Sequence, residues 1–335
     1  MNTRFDGHDD LARLPYFERR GPGRLALADP SLGPVFDVHT HLALAFLRPG
    51  QIDLEREHEH TLHYLPRERP LDLEVYANRC YSAEDLRRMK LDLTLLSLTD
   101  GGMRRTHTAA NLLREMRDLG VARAVLLPID LPLVSDNAGA FLERAAVHEE
   151  LISFGSVHPL SLDLAGKLER QISLGARGVK VHPASQMIRP DHPRAMELYR
   201  LCGERGLPVL FHCGPVGIEP RAGRRRSQVR LYEAPVALHP RTTFILGHSG
   251  ALQLDEALAL AQRYPNVWLE TASQSLTNVR RLLAEAPADR LLFGTDWPFY
   301  PLAVGLAKAL LATEDDGVAR RRLLYENAAR LLLGS

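Results

Sequence analysis

The chain has 335 residues, with 42 Lys and Arg against 41 Asp and Glu, a formal charge of +1. Hydrophobic residues make 45% and charged residues 25%, an ordinary globular mixture that can bury a core. This near-neutral balance excludes a strongly basic nucleic-acid binder and a disordered acidic tail. Cys80, Cys202 and Cys213 form no CxxC pair and no even framework. A disulfide-stapled scaffold is therefore not expected, and a reducing compartment is. The first residues contain no apolar run of signal-peptide type, and no apolar stretch approaches the ~18 residues of a membrane span. A cytoplasmic protein is expected, whose partner is a small-molecule substrate rather than nucleic acid or a membrane; assembly into a homo-oligomer is left open.

In chain order, residues 1–34 mix charges with Gly21, Pro22, Gly23 and Pro30 and read as an irregular extension. Gly33-Pro34 leads into Val35-Phe36-Asp37-Val38-His39, a short apolar run suited to a buried strand. Residues 42–107 read as an insertion after it. They hold a polar, His- and Arg-rich stretch and then Ser82-Ala83-Glu84-Asp85, a pattern that could open a helix. From 108 the pattern becomes regular. Strands are expected at 124–127, 152–157, 178–182, 209–212, 244–248, 267–271 and 291–296. Helices are expected at 137–151, 163–174, 193–205, 228–238, 252–264 and 275–286. From the second onward the strands start roughly 22–35 residues apart, the size of one βα unit. Their runs are apolar on both faces, as a parallel sheet covered by helices requires. The predicted fold is α/β, a closed (β/α)8 TIM barrel over 35–335. No glycine-rich phosphate loop follows the first strand.

Active sites of such barrels lie at the C-terminal strand ends. Here those ends read His39-Thr40-His41, Lys180-Val181-His182, His212-Cys213-Gly214, His248-Ser249-Gly250 and Thr295-Asp296-Trp297. Strand alternation places His39 and His41 on one face, able to converge on one cation. Barrel closure would bring His212 and Asp296 to the same mouth, and imidazole and carboxylate are the ligands of catalytic Zn²⁺. A second His-x-His, His58-Glu59-His60, with His63 nearby, lies in a charged non-strand stretch and reads as solvated surface.

Asp-Val-His-Thr-His, Gly-Val-Lys-Val-His-Pro, Phe-His-Cys-Gly, Leu-Gly-His-Ser-Gly, Phe-Gly-Thr-Asp-Trp-Pro and the closing Tyr325–Leu332 stretch resemble the amidohydrolase superfamily. Within it they resemble the branch that contains aminocarboxymuconate-semialdehyde decarboxylase. The resemblance implies His39, His41, His212 and Asp296 as metal ligands, with Asp296 also handling a proton. It implies that His248 is catalytic or binds a second metal. It sets Lys180 where two-metal members carry a carboxylated lysine. His182 occupies the strand end above Lys180, so one metal is favoured, with Lys180 charged behind the ligands and paired with Asp37. His158, His182 and the basic run Arg221, Arg224, Arg225 and Arg226 are candidates for substrate contact. The insertion should overhang the mouth. The expected activity is hydrolysis of an amide, ester or lactone by a metal-activated water, with a divalent ion, Zn²⁺ first. The alternative is non-oxidative decarboxylation of an unsaturated or aromatic acid.

Overall fold

The computed structural model describes residues 3–131 and 134–334. Eight parallel strands carry the fold: β1 (Val35–Thr40), β2 (Val121–Leu126), β3 (Leu151–Ser153), β4 (Val179–Val181), β5 (Val209–His212), β6 (Phe244–Gly247), β7 (Val267–Glu270) and β8 (Leu291–Leu292). They form two arcs, β1-β2-β3 and β4-β5-β6-β7-β8. One seam closes through the Gly155–Val179 bridge, where Lys180 N donates to Gly155 O at 2.8 Å. The other closes through the Thr40–Trp297 bridge. There Val38 N donates to Phe293 O at 2.9 Å and Asp296 N to His39 O at 2.8 Å. The result is a (β/α)8 barrel.

Phe36, Val38, Val125, Leu127, Phe154, Leu210, Ile245, Trp268 and Leu292 pack into one buried cluster. Only the barrel interior can be reached from seven strands at once. On β4 the alternation differs: Val179 and Val181 join the outer core, and Lys180 faces the interior instead. The same period of two that buries Leu210 and Trp268 carries His212 and Glu270 inward at the rim.

The helices follow from their caps and apolar stripes. In the insertion, Ser82 and Asp85 close a capping box on α1 (Ala83–Leu93). Thr108 caps α2 (Ala109–Asp118), Asp136 caps α3 (Asn137–Val147), and Asp163 caps α4 (Leu164–Ser173). α5 (Pro193–Glu204), α6 (Arg221–Arg226), α7 (Glu233–Leu238), α8 (Leu254–Arg263), α9 (Leu276–Glu285) and α10 (Leu302–Ala312) follow. Among the described residues no helix is long and apolar enough to cross a membrane.

Several expectations are corrected. Residues 228–238 do not form one helix: a 3₁₀ turn, Val229–Tyr232, precedes α7, because Pro235 has no N–H to return to the Leu231 carbonyl. The basic run, for which no helix was expected, forms α6. Residues 3–34 contain an antiparallel hairpin, Phe17–Gly21 with Arg24–Leu27. Its turn passes through Gly21 and Gly23 at φ 146° and 65°, open to glycine. The barrel strands at 121, 151, 179, 244, 267 and 291 also end earlier than expected. His248 sits at φ 56° and Asp296 at φ 65°.

Candidate active site

The rim residues His39, His41, Lys180, His182, His212, His248 and Asp296 all line one cavity of about 700 Å³. His41 Nδ1 donates to Leu127 O at 2.6 Å, which leaves a lone pair on Nε2. That atom lies 3.3 Å from Asp296 Oδ1. His39 Nδ1 meets Glu270 Oε1 at 2.9 Å, and His39 Nε2 lies 3.7 Å from Asp296 Oδ1. His39, His41 and Asp296 therefore present three donor atoms within 4.8 Å of one another. This is the chemistry a divalent ion needs: two imidazole nitrogens and a carboxylate oxygen.

His212 is in the same cavity but outside that close set. Its ring stacks on His182 at 4.0 Å, and its Nδ1 lies 3.1 Å from His248 Nε2. His248 Nδ1 faces the Ala272 carbonyl at 3.3 Å, so it carries that ring's proton. His248 Nε2 then accepts from His212 Nδ1–H, and His212 Nε2 keeps its lone pair.

Burial, with the charges nearby, pushes His39, His182 and His212 well below the usual imidazole range. Burial pushes His248 down to about 4. All four are neutral near pH 7, the state in which imidazole can ligate or accept.

Glu270, fully buried at the end of β7, was not among the residues expected from sequence. Besides His39 it accepts from the backbone N–H groups of His248 and Ala272. It fixes the first ligand ring and the start of the His248 turn together. The signal was a lone charge ending the apolar run Val267-Trp268-Leu269.

Lys180 reaches the donor set, with Nζ 3.2 Å from His39 Nε2. Burial lowers its pKa to about 8, opposed by Asp296 and Glu270. The expected Asp37–Lys180 pair is not formed. Asp37 accepts from Thr295 N at 3.1 Å, from His39 N at 3.0 Å, and from the Thr295 hydroxyl. The chain just beyond β8 supplies the Thr295 donors directly beside β1, and Lys180 Nζ meets His39 instead.

Burial raises the Asp37 pKa to about 7. The folded state then holds a proton that the unfolded chain has already released above its ordinary value of 3.8. The contribution of this group is thus fully present below that value and falls as pH rises toward about 7, by up to about 4 kcal/mol. The buried neutral histidines act in the opposite sense, so in the metal-free protein Asp37→Asn should make the slope of unfolding free energy against pH more positive between pH 5 and pH 7.5, measured by urea titration. An unchanged slope would show that Asp37 does not hold the extra proton in the folded state.

The cavity walls are mostly apolar. Leu44, Phe46, Leu47, Met89 and Leu93 come from the insertion, and Ile129, Met187, Ile218 and Phe299 from other loops. The insertion does overhang the mouth.

Three other expectations do not survive. His158 is outside the cavity lining: Nε2 meets Gln186 O at 2.9 Å and Nδ1 accepts from Leu160 N at 3.1 Å, so both nitrogens serve the backbone. Arg221 and Arg224 lie on the solvent face of α6, while Ala222, Gly223 and Arg226 form its cavity face, as a helical period dictates. His63 is buried rather than solvated, with Nε2 3.2 Å from Glu115. His58 and His60 are not buried.

The amidohydrolase family model matches residues 36–333. No curated protein matches the chain in sequence. Among solved structures, an uncharacterized TIM-barrel protein from Bordetella bronchiseptica is 17% identical at TM-score 0.63, over 89% of this chain and 98% of that one. A dihydroxybenzoic acid decarboxylase from Polaromonas, with bound manganese and the inhibitor 2-nitroresorcinol, is 14% identical at TM-score 0.57, over 89% and 97%. A probable 2-pyrone-4,6-dicarboxylic acid hydrolase from Acinetobacter baumannii, with citric acid bound, is 12% identical at TM-score 0.58, over 90% and 100%. At these identities the structures share the fold. The family match spans the barrel from β1 to the last helix and includes every rim residue of the cavity, so the chain belongs to the amidohydrolase family.

Proposed function

We propose that the protein is a metal-dependent, non-oxidative decarboxylase of an aromatic or unsaturated carboxylic acid. The observation that carries this reading is a buried His/Asp donor set at the floor of a cavity with largely apolar walls. A carboxylate drawn from water into such a cavity loses hydration. The departing CO₂ and the transition state, with its dispersed charge, lose less, so the environment favours C–C cleavage. Among structures sharing the fold are decarboxylases acting on 2,6-dihydroxybenzoate and 5-carboxyvanillate. This support moves the reading from hydrolysis to decarboxylation.

His39, His41 and Asp296 would hold the ion, with His212 beside them. When bound there, the ion supplies positive charge that binds and polarises the substrate's oxygens. The donor set suits Mn²⁺ as well as Zn²⁺. The chain's own groups do the rest. The apolar walls grip the ring or alkene and exclude water. His248, neutral, exchanges the bond its Nε2 accepts from His212 for one it accepts from a substrate hydroxyl. As the bond to the carboxyl carbon breaks, its electron pair stays on the ring or alkene carbon. Asp296 passes a proton from solvent to that carbon, and CO₂ leaves.

Hydrolysis of a lactone is the second reading, favoured by the fold shared with the pyrone hydrolase. The protein loaded with Zn²⁺ or Mn²⁺ should be assayed on a panel of hydroxybenzoic acids, unsaturated acids, lactones and esters. Release of one CO₂ per acid consumed supports decarboxylation. New acid without CO₂ supports hydrolysis and removes the first reading.

A further inference from the structure

Two adjacent residues beyond β7 support the two candidate catalytic residues, Ser273 from the cavity wall and Gln274 from behind it. Ser273 Oγ donates to Asp296 Oδ2 at 3.3 Å. Gln274 Nε2 donates to His248 O at 2.6 Å and to Ala251 O at 3.0 Å. Gln274 is itself held at both polar ends. Its carbonyl accepts from Lys308 Nζ at 2.7 Å, and its Oε1 from Asn278 Nδ2 at 2.8 Å. Gln274 and Lys308 are buried, so these bonds are not shared with bulk water.

The segment they hold needs holding. His248, Ser249, Gly250 and Ala251 run at φ 56°, 43°, 78° and 52°. Three of these four are not glycine, and the left-handed region is unfavourable for each unless surrounding contacts over-determine it. Ser273 is left-handed as well, at φ 64°. The insertion joins the same segment: Ala77 N donates to Ser273 O at 2.9 Å, and Leu276 N donates to Leu73 O at 2.7 Å. Tyr76, between Leu73 and Ala77, lines the cavity.

We propose that Ser273 and Gln274 form a positioning bracket that sets His248 relative to Asp296, anchored by Lys308 and locked by the insertion's backbone at Leu73 and Ala77. Neither bracket side chain carries the chemistry; each acts through the residue it holds. Loss of Gln274's amide frees the His248 and Ala251 carbonyls from the bonds that offset a left-handed turn. The turn relaxes, and the His248 ring leaves His212. An ordinary buried amide that merely satisfies loop carbonyls would, on removal, lower stability and leave the turnover of the folded fraction unchanged.

The inference rests on the proposed roles of His248 and Asp296, so its test includes a readout free of them. Gln274→Met keeps the side-chain length and removes both donors. In metal-loaded protein it is expected to lower kcat about 10- to 100-fold, with KM within about threefold and metal content unchanged. Its crystal structure is expected to show residues 248–251 outside the left-handed region and the His248 ring beyond hydrogen-bond reach of His212. Should that variant fail to fold, Ser273→Ala removes one bond only. It is expected to lower kcat about tenfold and to shift the kcat–pH profile. An undisturbed 248–251 turn in Gln274→Met, or unchanged kcat with an unchanged profile in Ser273→Ala, overturns the bracket. If wild-type protein releases no CO₂ from any acid, the decarboxylase reading fails while the crystallographic test of the bracket still stands.

Discussion

Asp296→Asn is expected to lower turnover by at least about 10²-fold, the lower range of what a positioned acid–base group contributes, while the fold survives. Asn tolerates the left-handed backbone at this position, φ 65°. It also retains one side-chain oxygen, which can take the Oδ1 place toward the ion, while its NH₂ can donate to the Ser273 hydroxyl. What it cannot do is carry the proton to carbon. Metal affinity should weaken because a neutral amide replaces a carboxylate, so the comparison is made at saturating Zn²⁺ or Mn²⁺, with circular dichroism to verify folding. Near-normal turnover in the loaded variant would show that Asp296 is not the proton carrier.

Glu270→Gln is expected to weaken metal binding about 10- to 100-fold, the usual consequence of removing the carboxylate that orients a ligand imidazole. Glu270 is bonded to His39 Nδ1 and to the N–H groups of His248 and Ala272, so each of these neighbours asks it to accept. A glutamine turns an NH₂ toward at least one of these donors, leaving a buried group unsatisfied at a cost of about 1–3 kcal/mol. It also removes one of the two carboxylates that support the charge of Lys180. His39 can then rotate or change tautomer, and the lone pair of Nε2 is no longer aimed at the site. Chelator competition measures the affinity, and chemical denaturation the accompanying loss of stability. Wild-type affinity in this variant would leave Glu270 as a structural carboxylate only.

The barrel was legible because buried parallel strands are short apolar runs, and a His or Asp that interrupts such a run has few reasons to be there. His39, His41, His212, His248 and Asp296 were found in this way, and all line one cavity. Glu270 carried the same kind of signal but sat one residue short of the expected strand end at 271. His158 shows the limit of such reasoning. A histidine at a strand end can turn back to the backbone, and only the positions of Gln186 and Leu160 reveal that it does. The basic run misled because its helical phase, not its charge, decides that Arg226 faces the cavity while Arg221 and Arg224 do not.

The first 34 residues and the insertion were opaque for a different reason. Their order comes from partners far away in sequence. Arg4 pairs with Asp72 across a two-residue ladder, and Tyr64 and Leu65 donate to Pro298 and Phe299 beyond β8. No local period announces such contacts. The same blindness produced the Asp37–Lys180 expectation, which ranked residues by layer and overlooked Thr295 beside β1.

If the His39/His41/Asp296 centre is where the chemistry happens, CO₂ release must depend on a divalent ion held there. The decisive assay starts from the acid in the panel that wild-type protein turns over fastest. CO₂ release is measured before and after dialysis against a strong chelator, and again after Zn²⁺ or Mn²⁺ is restored, with elemental analysis at each stage. Release is expected to fall to background as the metal is removed and to return with about one equivalent of ion per chain. Undiminished CO₂ release from protein shown to be metal-free would contradict a metal-dependent decarboxylase.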